Sequence, residues 1–363
     1  MDIYYDFWLC SLPGIGYGKR RRLLAYFGSS REIFYGRKEA FLEIPRLGEK
    51  DREVIFSGRS LDVVKRDYED MERRGISFIT REEEGFPEQL RQVSEPPYGI
   101  FYRGCLPAGE LPAVAIVGAR NASGEGRALA EKFGRELAAN GIPIISGMAR
   151  GIDIAAQRGA MQAPGGRTYG VLGTGVDICY PRNHLDAFME IQKRGGLLSE
   201  FPLKTPPLPY NFPMRNRLIS GLAGGILVIE AKEGSGSLIT AEMGLEQGKE
   251  IFVIPGSICN PQYKGGNELL KTGACLVTKV QDILDGLGLF FDEDVVERKK
   301  KTNVMLETTE KIVYAILSLE PVSMSFLVEE TGLQPQKVLD ALDSLQRRKL
   351  VRDAGNRHYA ILL

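Results

Sequence analysis

Three arginines stand just past apolar runs of this 363-residue chain: Arg120 after "AVAIVGA", Arg150 after "IPIISGMA" and Arg182 after "VLGTGVDICYP". A guanidinium is planar, permanently charged and carries its donors in a fork, so its chemistry is the recognition of phosphate or carboxylate oxygens. Arg215 and Arg217, with Asn216 between them, open "RNRLISGL", read as the start of a helix whose free N–H groups would add to an anion site. Small residues recur beside the cations: Gly118, Ser146 with Gly147 and Gly151, Thr174 with Gly175, and Ser235, Gly236 and Ser237. Such tips let a ligand approach the backbone closely. A mononucleotide needs one of them, whereas an extended chain of phosphates uses many.

The elements that must position these residues are legible as an alternation. Apolar, β-branched runs at Ala113–Val117, Ile142–Ser146, Tyr169–Gly173, Leu197–Glu200, Gly225–Ala231, Ile251–Pro255 and Ala274–Thr278 are separated by helical stretches. This predicts an α/β fold over residues 81–285, a Rossmann-like, doubly wound, mainly parallel sheet with its ligands at the carboxyl ends of the strands. The glycines after the first run fall at 118, 124 and 126, outside the G-x-G-x-x-G spacing. The second run ends in Ser146–Gly147 and then Arg150, with no acid for a ribose, which argues against a nicotinamide dinucleotide.

Two flanking regions differ in period. Residues 1–80 read as a small helical domain, where "LPGIGYGKRRRLLAYFG" looks like the glycine hairpin of a helix–hairpin–helix. Gly14, Gly16, Lys19 and Arg20 are thus candidates for a secondary phosphate contact, with a purely structural hairpin as the competing reading. Residues 286–304 read as a linker ending in "VERKKKTN", and 305–363 as three helices and a hairpin, a winged helix. Its expected recognition helix exposes Asp340 and Asp343, which repel phosphate and favour a partner-binding or regulatory role.

Composition narrows the function classes. Forty-seven basic and 47 acidic residues cancel, so any nucleic-acid contact must come from local clustering. The five cysteines are scattered and never spaced C-x-x-C, which argues against a disulfide framework or a zinc site and fits the cytosol. No apolar run is long enough to span a bilayer, and the acidic start is unlike a signal peptide. The two histidines, His184 and His358, lie near no nucleophile elbow, and no P-loop or metal motif appears, so neither an enzyme nor a cofactor is expected.

The strings "VGAR", "SGMARGID", "GTGVDICYPRN", "LSEFP", "FPMRNRLISGL" and "SGSLITAEMGLEQGKEIFVIPG", in that order, resemble the DNA-processing protein A (DprA, also called Smf) family over about residues 113–283. The resemblance implies a Rossmann-like domain that binds single-stranded DNA without sequence preference, protects it, and loads the RecA recombinase in natural transformation. It implies a homodimer and an N-terminal domain of helix–hairpin–helix or SAM-like type. Arg120, Arg150 and Arg182 would contact phosphates, the last two standing where many members carry Lys. Arg215, Asn216 and Arg217 would line the same pocket, and the turn after the first strand would hold DNA phosphates. A second reading is a nucleoside-monophosphate phosphoribohydrolase, whose P-G-G-x-G-T-x-x-E loop "EGSGSLITAE" loosely resembles. Aligned on Ser237, that motif's Glu falls on Thr240, with Glu242 two residues later. A third is a winged-helix regulator with a ligand-sensing core.

Overall fold

The computed structural model describes residues 3–107, 111–289, 308–317, 322–347, 350–355 and 357–361. It forms two compact units, Met1–Leu289 and Phe290–Leu363. The expected linker lies, from residue 290 onward, outside the described residues.

The first unit opens with five helices, α1 (Ile3–Ser11), α2 (Tyr17–Phe27), α3 (Ser30–Tyr35), α4 (Glu49–Ser57) and α5 (Leu61–Arg73). Apolar residues at helical spacing point inward, and Trp8, Leu9, Leu23, Ile33, Phe41 and Ile55 are buried together. Arg59 closes this core, donating to Gly36 O at 2.8 Å and Ile33 O at 2.6 Å between the rings of Phe41 and Phe56. Burial brings its guanidinium down to about 10. The same core runs on into Phe101, Met148, Leu172 and Phe188, so the helical region shares its packing with the sheet that follows.

That sheet has nine strands: β1 (Ser77–Thr80), β2 (Gly99–Gly104), β3 (Ala113–Gly118), β4 (Ile144–Ser146), β5 (Thr168–Val171), β6 (Gly196–Ser199), β7 (Ala223–Ile229), β8 (Glu250–Val253) and β9 (Cys275–Leu276). Their spatial order is β1-β2-β6-β5-β4-β3-β7-β8-β9. From β6 to β9 all neighbours are parallel, while β1 and β2 join one edge antiparallel. The stretch β5-β4-β3-β7-β8-β9 is the doubly wound order, and the winding reverses between β3 and β7. The crossovers carry α6 (Glu88–Arg91), α7 (Gly124–Ala139), α8 (Ile152–Gln162), α9 (Leu185–Arg194), α10 (Asn211–Leu222), α11 (Gly236–Glu246), α12 (Lys264–Lys271) and α13 (Val280–Gly286). Helix α10 sets Leu218, Ile219 and Leu222 onto one sheet face, among Ala115, Val117 and Val228. α7 packs against α8 so closely that a Cβ on Gly134 would overlap the carbonyl oxygen of Ala156.

The second unit contains α14 (Thr308–Ile316), β10 (Val322–Ser323), α15 (Met324–Thr331), α16 (Pro335–Arg347), β11 (Val351–Gly355) and β12 (His358–Ile361). The strands pair antiparallel in the order β10-β12-β11 over a core of Leu327, Val338, Leu342 and Leu345. Asp340 and Asp343 of α16 are exposed.

The α7–α8 contact generates a stability prediction. Gly134→Ala overpacks a backbone-to-backbone crossing and should cost about 1–3 kcal/mol, whereas Ala128→Ser on the exposed side of α7 should stay within about 0.5 kcal/mol. Urea unfolding of both variants checks this.

Candidate functional site

Where the winding reverses, the strand ends leave a cavity of about 420 Å³ between the β3 and β7 loops. Open α/β sheets bind ligands at this place because the crossovers diverge there. Its walls include Gly118, Arg120, Phe212, Lys232 and the Ser235–Gly236–Ser237 loop, with Asp153, Arg215 and Asn216 also lining it.

Helices α7, α8, α10 and α11 begin at this edge and present N–H groups and the positive ends of their dipoles. Two of them meet an acid from within the chain. Glu230, buried and held at φ 51°, accepts from Ser123 N at 2.8 Å and from Ser123 Oγ. Ser123 Oγ in turn accepts from Gly126 N at 2.9 Å, and Gly126 has no room for a side chain beside that carboxylate. Asp153 of α8 accepts from Gly147 N at 3.1 Å and Ala149 N at 3.4 Å. Helix α11, like α10, has no acidic residue in its first turn and no side-chain cap on its N–H groups, and Ser235 Oγ bonds Ser237 Oγ at 2.8 Å.

This corrects the expectation for the turn after the first strand. The α7 N-terminus is already filled by the Glu230 carboxylate, so an incoming phosphate would meet a like charge there. The start of α11 lines the same cavity as Arg120 and Lys232. Lys232 escaped the sequence reading. The signal was present, a lysine three residues before the Ser235 loop at the end of an apolar strand.

Arg120 lies over the Phe212 ring at 5.6 Å, and Phe212 meets Tyr180 at 5.7 Å between centroids. Tyr180 is 46% exposed and borders a neighbouring cavity of about 630 Å³ with Arg150, Arg182, Pro206 and Pro207. The two loops touch: Ile152 N donates to Ala119 O at 3.2 Å, and Gly151, at φ 80°, leaves no space for a Cβ against that oxygen. Arg120, Arg150, Arg182 and Lys232 are exposed, and none of them forms an ion pair among the described residues.

Other expected contacts are structural. Arg217 sets two donors on Glu200, each at 2.6 Å, and a third on Glu95 O at 3.0 Å, so its fork is spent on the carboxylate that ends β6. Burial pulls its pKa down and the adjoining Glu200 more than offsets this, leaving it above the usual value. Arg215 reaches the cavity floor, but it donates to Val171 O and to Gly147 O at 3.1 Å, tying β4 to β5. Burial lowers it to about 10 and raises Asp153 beside it, desolvation outweighing their attraction. Ser146 is fully buried with its hydroxyl on Ile116 O at 2.6 Å, Thr174 bonds Ile178 O at 3.1 Å, and Gly175 N bonds Thr205 O at 3.0 Å. These three, with Gly147, brace loops and do not line either cavity. Thr240 borders the first cavity where a hydrolase loop would carry Glu, and Glu242 is exposed outside it. Among the described residues no cluster of potential metal ligands occurs, and no helix is long and apolar enough to cross a membrane.

In the N-terminal hairpin, Lys19 is also taken: its ammonium bonds Asp51 at 2.6 Å and Gly14 O at 3.1 Å. Gly16 caps α2. Arg20 is buried.

Against known proteins, the family model described as DNA recombination-mediator protein A matches residues 77–288, more than half of the chain. The chain belongs to this family. It is 43% identical to protein Smf of Escherichia coli over 230 residues, which are 62% of this chain and 61% of that protein, so about three fifths of the relative's length is spanned. It is 42% identical to the DNA processing protein DprA of Streptococcus pneumoniae over 199 residues, 55% of this chain and 70% of the relative. Among solved structures, DprA of Streptococcus pneumoniae superposes with a TM-score of 0.66 at 31% identity, covering 78% of this chain and 97% of that one. A Helicobacter pylori DNA processing protein A, solved for its single-stranded DNA binding mode, gives 0.53 at 30% identity, covering 58% and 95%.

Two predictions arise. Glu200→Ala strands a buried guanidinium and should cost about 3–5 kcal/mol, most of it recovered when Arg217→Met is added; denaturant unfolding of the three variants measures this. His184 is buried, its Nδ1 donating to Met148 O at 3.1 Å, and burial lowers its pKa from the usual 6.5. The unfolded chain therefore takes up this proton first, so the contribution is whole above pH 6.5 and is lost as pH falls through that value. Melting temperature should drop more on mild acidification in the wild type than in His184→Gln, and parallel curves would refute the assignment.

Proposed function

We propose that the sheet edge binds the sugar–phosphate chain of single-stranded DNA without sequence preference. The observation that carries this reading is the unpaired cations Arg120, Lys232, Arg150 and Arg182 alongside the acid-free start of α11, spread over two adjoining cavities. Two cavities suit successive phosphates of one strand better than a single mononucleotide. Phe212 and the exposed Tyr180 between them offer ring faces on which unpaired bases can stack, an interaction that tolerates any base. Affinity then comes from charge neutralisation and release of counterions. The Helicobacter pylori relative, described by its single-stranded DNA binding mode, supports the same reading.

From the family we take the wider role: handling incoming single strands in the cytoplasm during transformation, protecting them and loading the RecA recombinase as a homodimer, without catalysis. Hydrolysis of nucleoside monophosphates is disfavoured by the position of Glu242, exposed and outside the cavity walls. The second unit, read as a winged helix, exposes Asp340 and Asp343 and is assigned to a partner protein and not to a DNA groove.

Arg120→Ala combined with Arg182→Ala should weaken binding of an oligothymidylate at least about tenfold, since each charge-assisted bond contributes roughly 1.5–3 kcal/mol before screening. The dependence of log affinity on log salt should flatten by about 0.7 per lost contact. Fluorescence anisotropy across a salt series reads both. Wild-type affinity in the double variant at low salt would overturn the site.

A further inference from the structure

A second cleft, of about 840 Å³, lies away from the sheet edge between α1, α2 and the turn after β1. Its polar lining can be accounted for group by group. Asp6 accepts from Ser30 Oγ at 2.5 Å and from Tyr98 OH. Glu83 accepts from Thr80 N at 2.8 Å and Thr80 Oγ1 at 3.0 Å. Glu82 pairs with Arg81 at 3.1 Å, and the Arg81 guanidinium lies over the Tyr98 ring at 5.7 Å. Every acid in the cleft is thus engaged within the protein.

Two cations are not. Arg20 is only 4% exposed and lines the cleft, yet its Nε has no hydrogen-bond partner and the residue forms no ion pair among the described residues. Arg21, also on the cleft wall, is exposed and likewise forms no ion pair among them. An unpartnered Nε also occurs in Arg22, Arg59 and Arg103, but the other buried arginines spend their terminal nitrogens within the chain, Arg215 on carbonyl oxygens and Arg217 on a carboxylate, as does half-buried Arg59. A guanidinium nitrogen taken out of water without a partner destabilises the fold, so a buried arginine left unpaired at the wall of a cleft points to an anion supplied from outside.

We propose that this cleft is a second anion site, separate from the sheet edge, that takes the phosphate of a nucleotide, with Arg20 as the buried ligand and Arg21 at the rim. A planar fork matches phosphate oxygens in pairs. The volume exceeds what orthophosphate fills, and Tyr17 and Tyr98 offer flat walls for a base. The phosphate can belong to a free nucleotide or to the end of a strand, and the inference does not depend on DNA binding at the sheet edge.

The test uses the full chain carrying Arg120→Ala and Arg182→Ala, so that the sheet edge is silent, with thymidine 5′-monophosphate, thymidine and orthophosphate as probes in calorimetry and thermal melting. The monophosphate should bind and raise the melting temperature while thymidine does neither. Adding Arg20→Met should raise the melting temperature of the free protein by relieving the lone charge, and should abolish the ligand-induced rise. Arg21→Ala, at an exposed position, should keep the fold and weaken binding severalfold. Oligothymidylates with and without a 5′ phosphate separate the two sources: preference for the phosphorylated strand places a strand end in the cleft, and equal binding with the monophosphate still bound places a free nucleotide there. The proposal is overturned by any of three results: an undiminished ligand response in Arg20→Met, a lower melting temperature in that variant without ligand, or orthophosphate binding that gains nothing from the nucleoside.

Discussion

The sheet edge is governed by one electrostatic requirement: each helix that starts there presents bare N–H groups and a positive dipole end, and something anionic has to meet them. The chain answers for α7 with Glu230 and for α8 with Asp153, and it places no acid at α11. Glu230 adopts a left-handed backbone to do so, a conformation that costs a β-carbon-bearing residue of order 1–3 kcal/mol and is kept only where its surroundings repay it. Two bonds to Ser123 and the relay to Gly126 N are the repayment. A turn that has the outline of a phosphate loop is thereby occupied by a carboxylate of the chain itself.

The arginines divide by the same reasoning. Arg59, Arg215 and Arg217 are desolvated at folding and their donors are spent on carbonyls or a carboxylate, so they hold segments together and have no counterions left to release. Arg120, Arg150 and Arg182 remain hydrated and unpaired, and only such groups can exchange water and salt ions for the phosphates of a strand. The buried set makes the loops rigid; the exposed set rides on those loops. On the proposed reading, the spacing between phosphate contacts is fixed before any strand arrives, which limits the ordering cost of binding.

The seven parallel strands were legible because strands buried on both faces read as continuous apolar runs, and each was placed within a few residues. The antiparallel pair β1 and β2 was not. "SFIT" is four residues beside a charged turn, and "GIFYRG" follows two prolines, so neither shows a period long enough to register. Residue types announced an anion site, but only the fold could tell which arginines serve it. The bond from Glu230 to Ser123 spans 107 residues, and Arg217, paired with Glu200, differs from Arg215 by a rotation about a helix axis that no local pattern encodes.

Helix α10 links the two halves of this arrangement. Phe212, Arg215 and Asn216 from its first turns line the cavity, while Arg217 turns the other way, over the Tyr17 ring of α2 at 5.9 Å and onto Glu95 O. Leu208 and Tyr210 just ahead of it, with its first residue Asn211, border a groove of about 720 Å³ shared with the glycine hairpin, Gly14–Gly18. One wall of the cavity is thus pinned to the end of β6 by the buried Arg217–Glu200 pair, and it meets the N-terminal helices at the Tyr17 ring. Sliding α10 along its axis would withdraw Phe212 and Arg215 from the cavity and break the bonds to Glu200 and Val171 together, and a buried pair cannot be parted without leaving an uncompensated charge. Helix α10 is therefore held in register chiefly by the sheet, through Glu200 and Val171, while the helical region meets it at the Tyr17 ring.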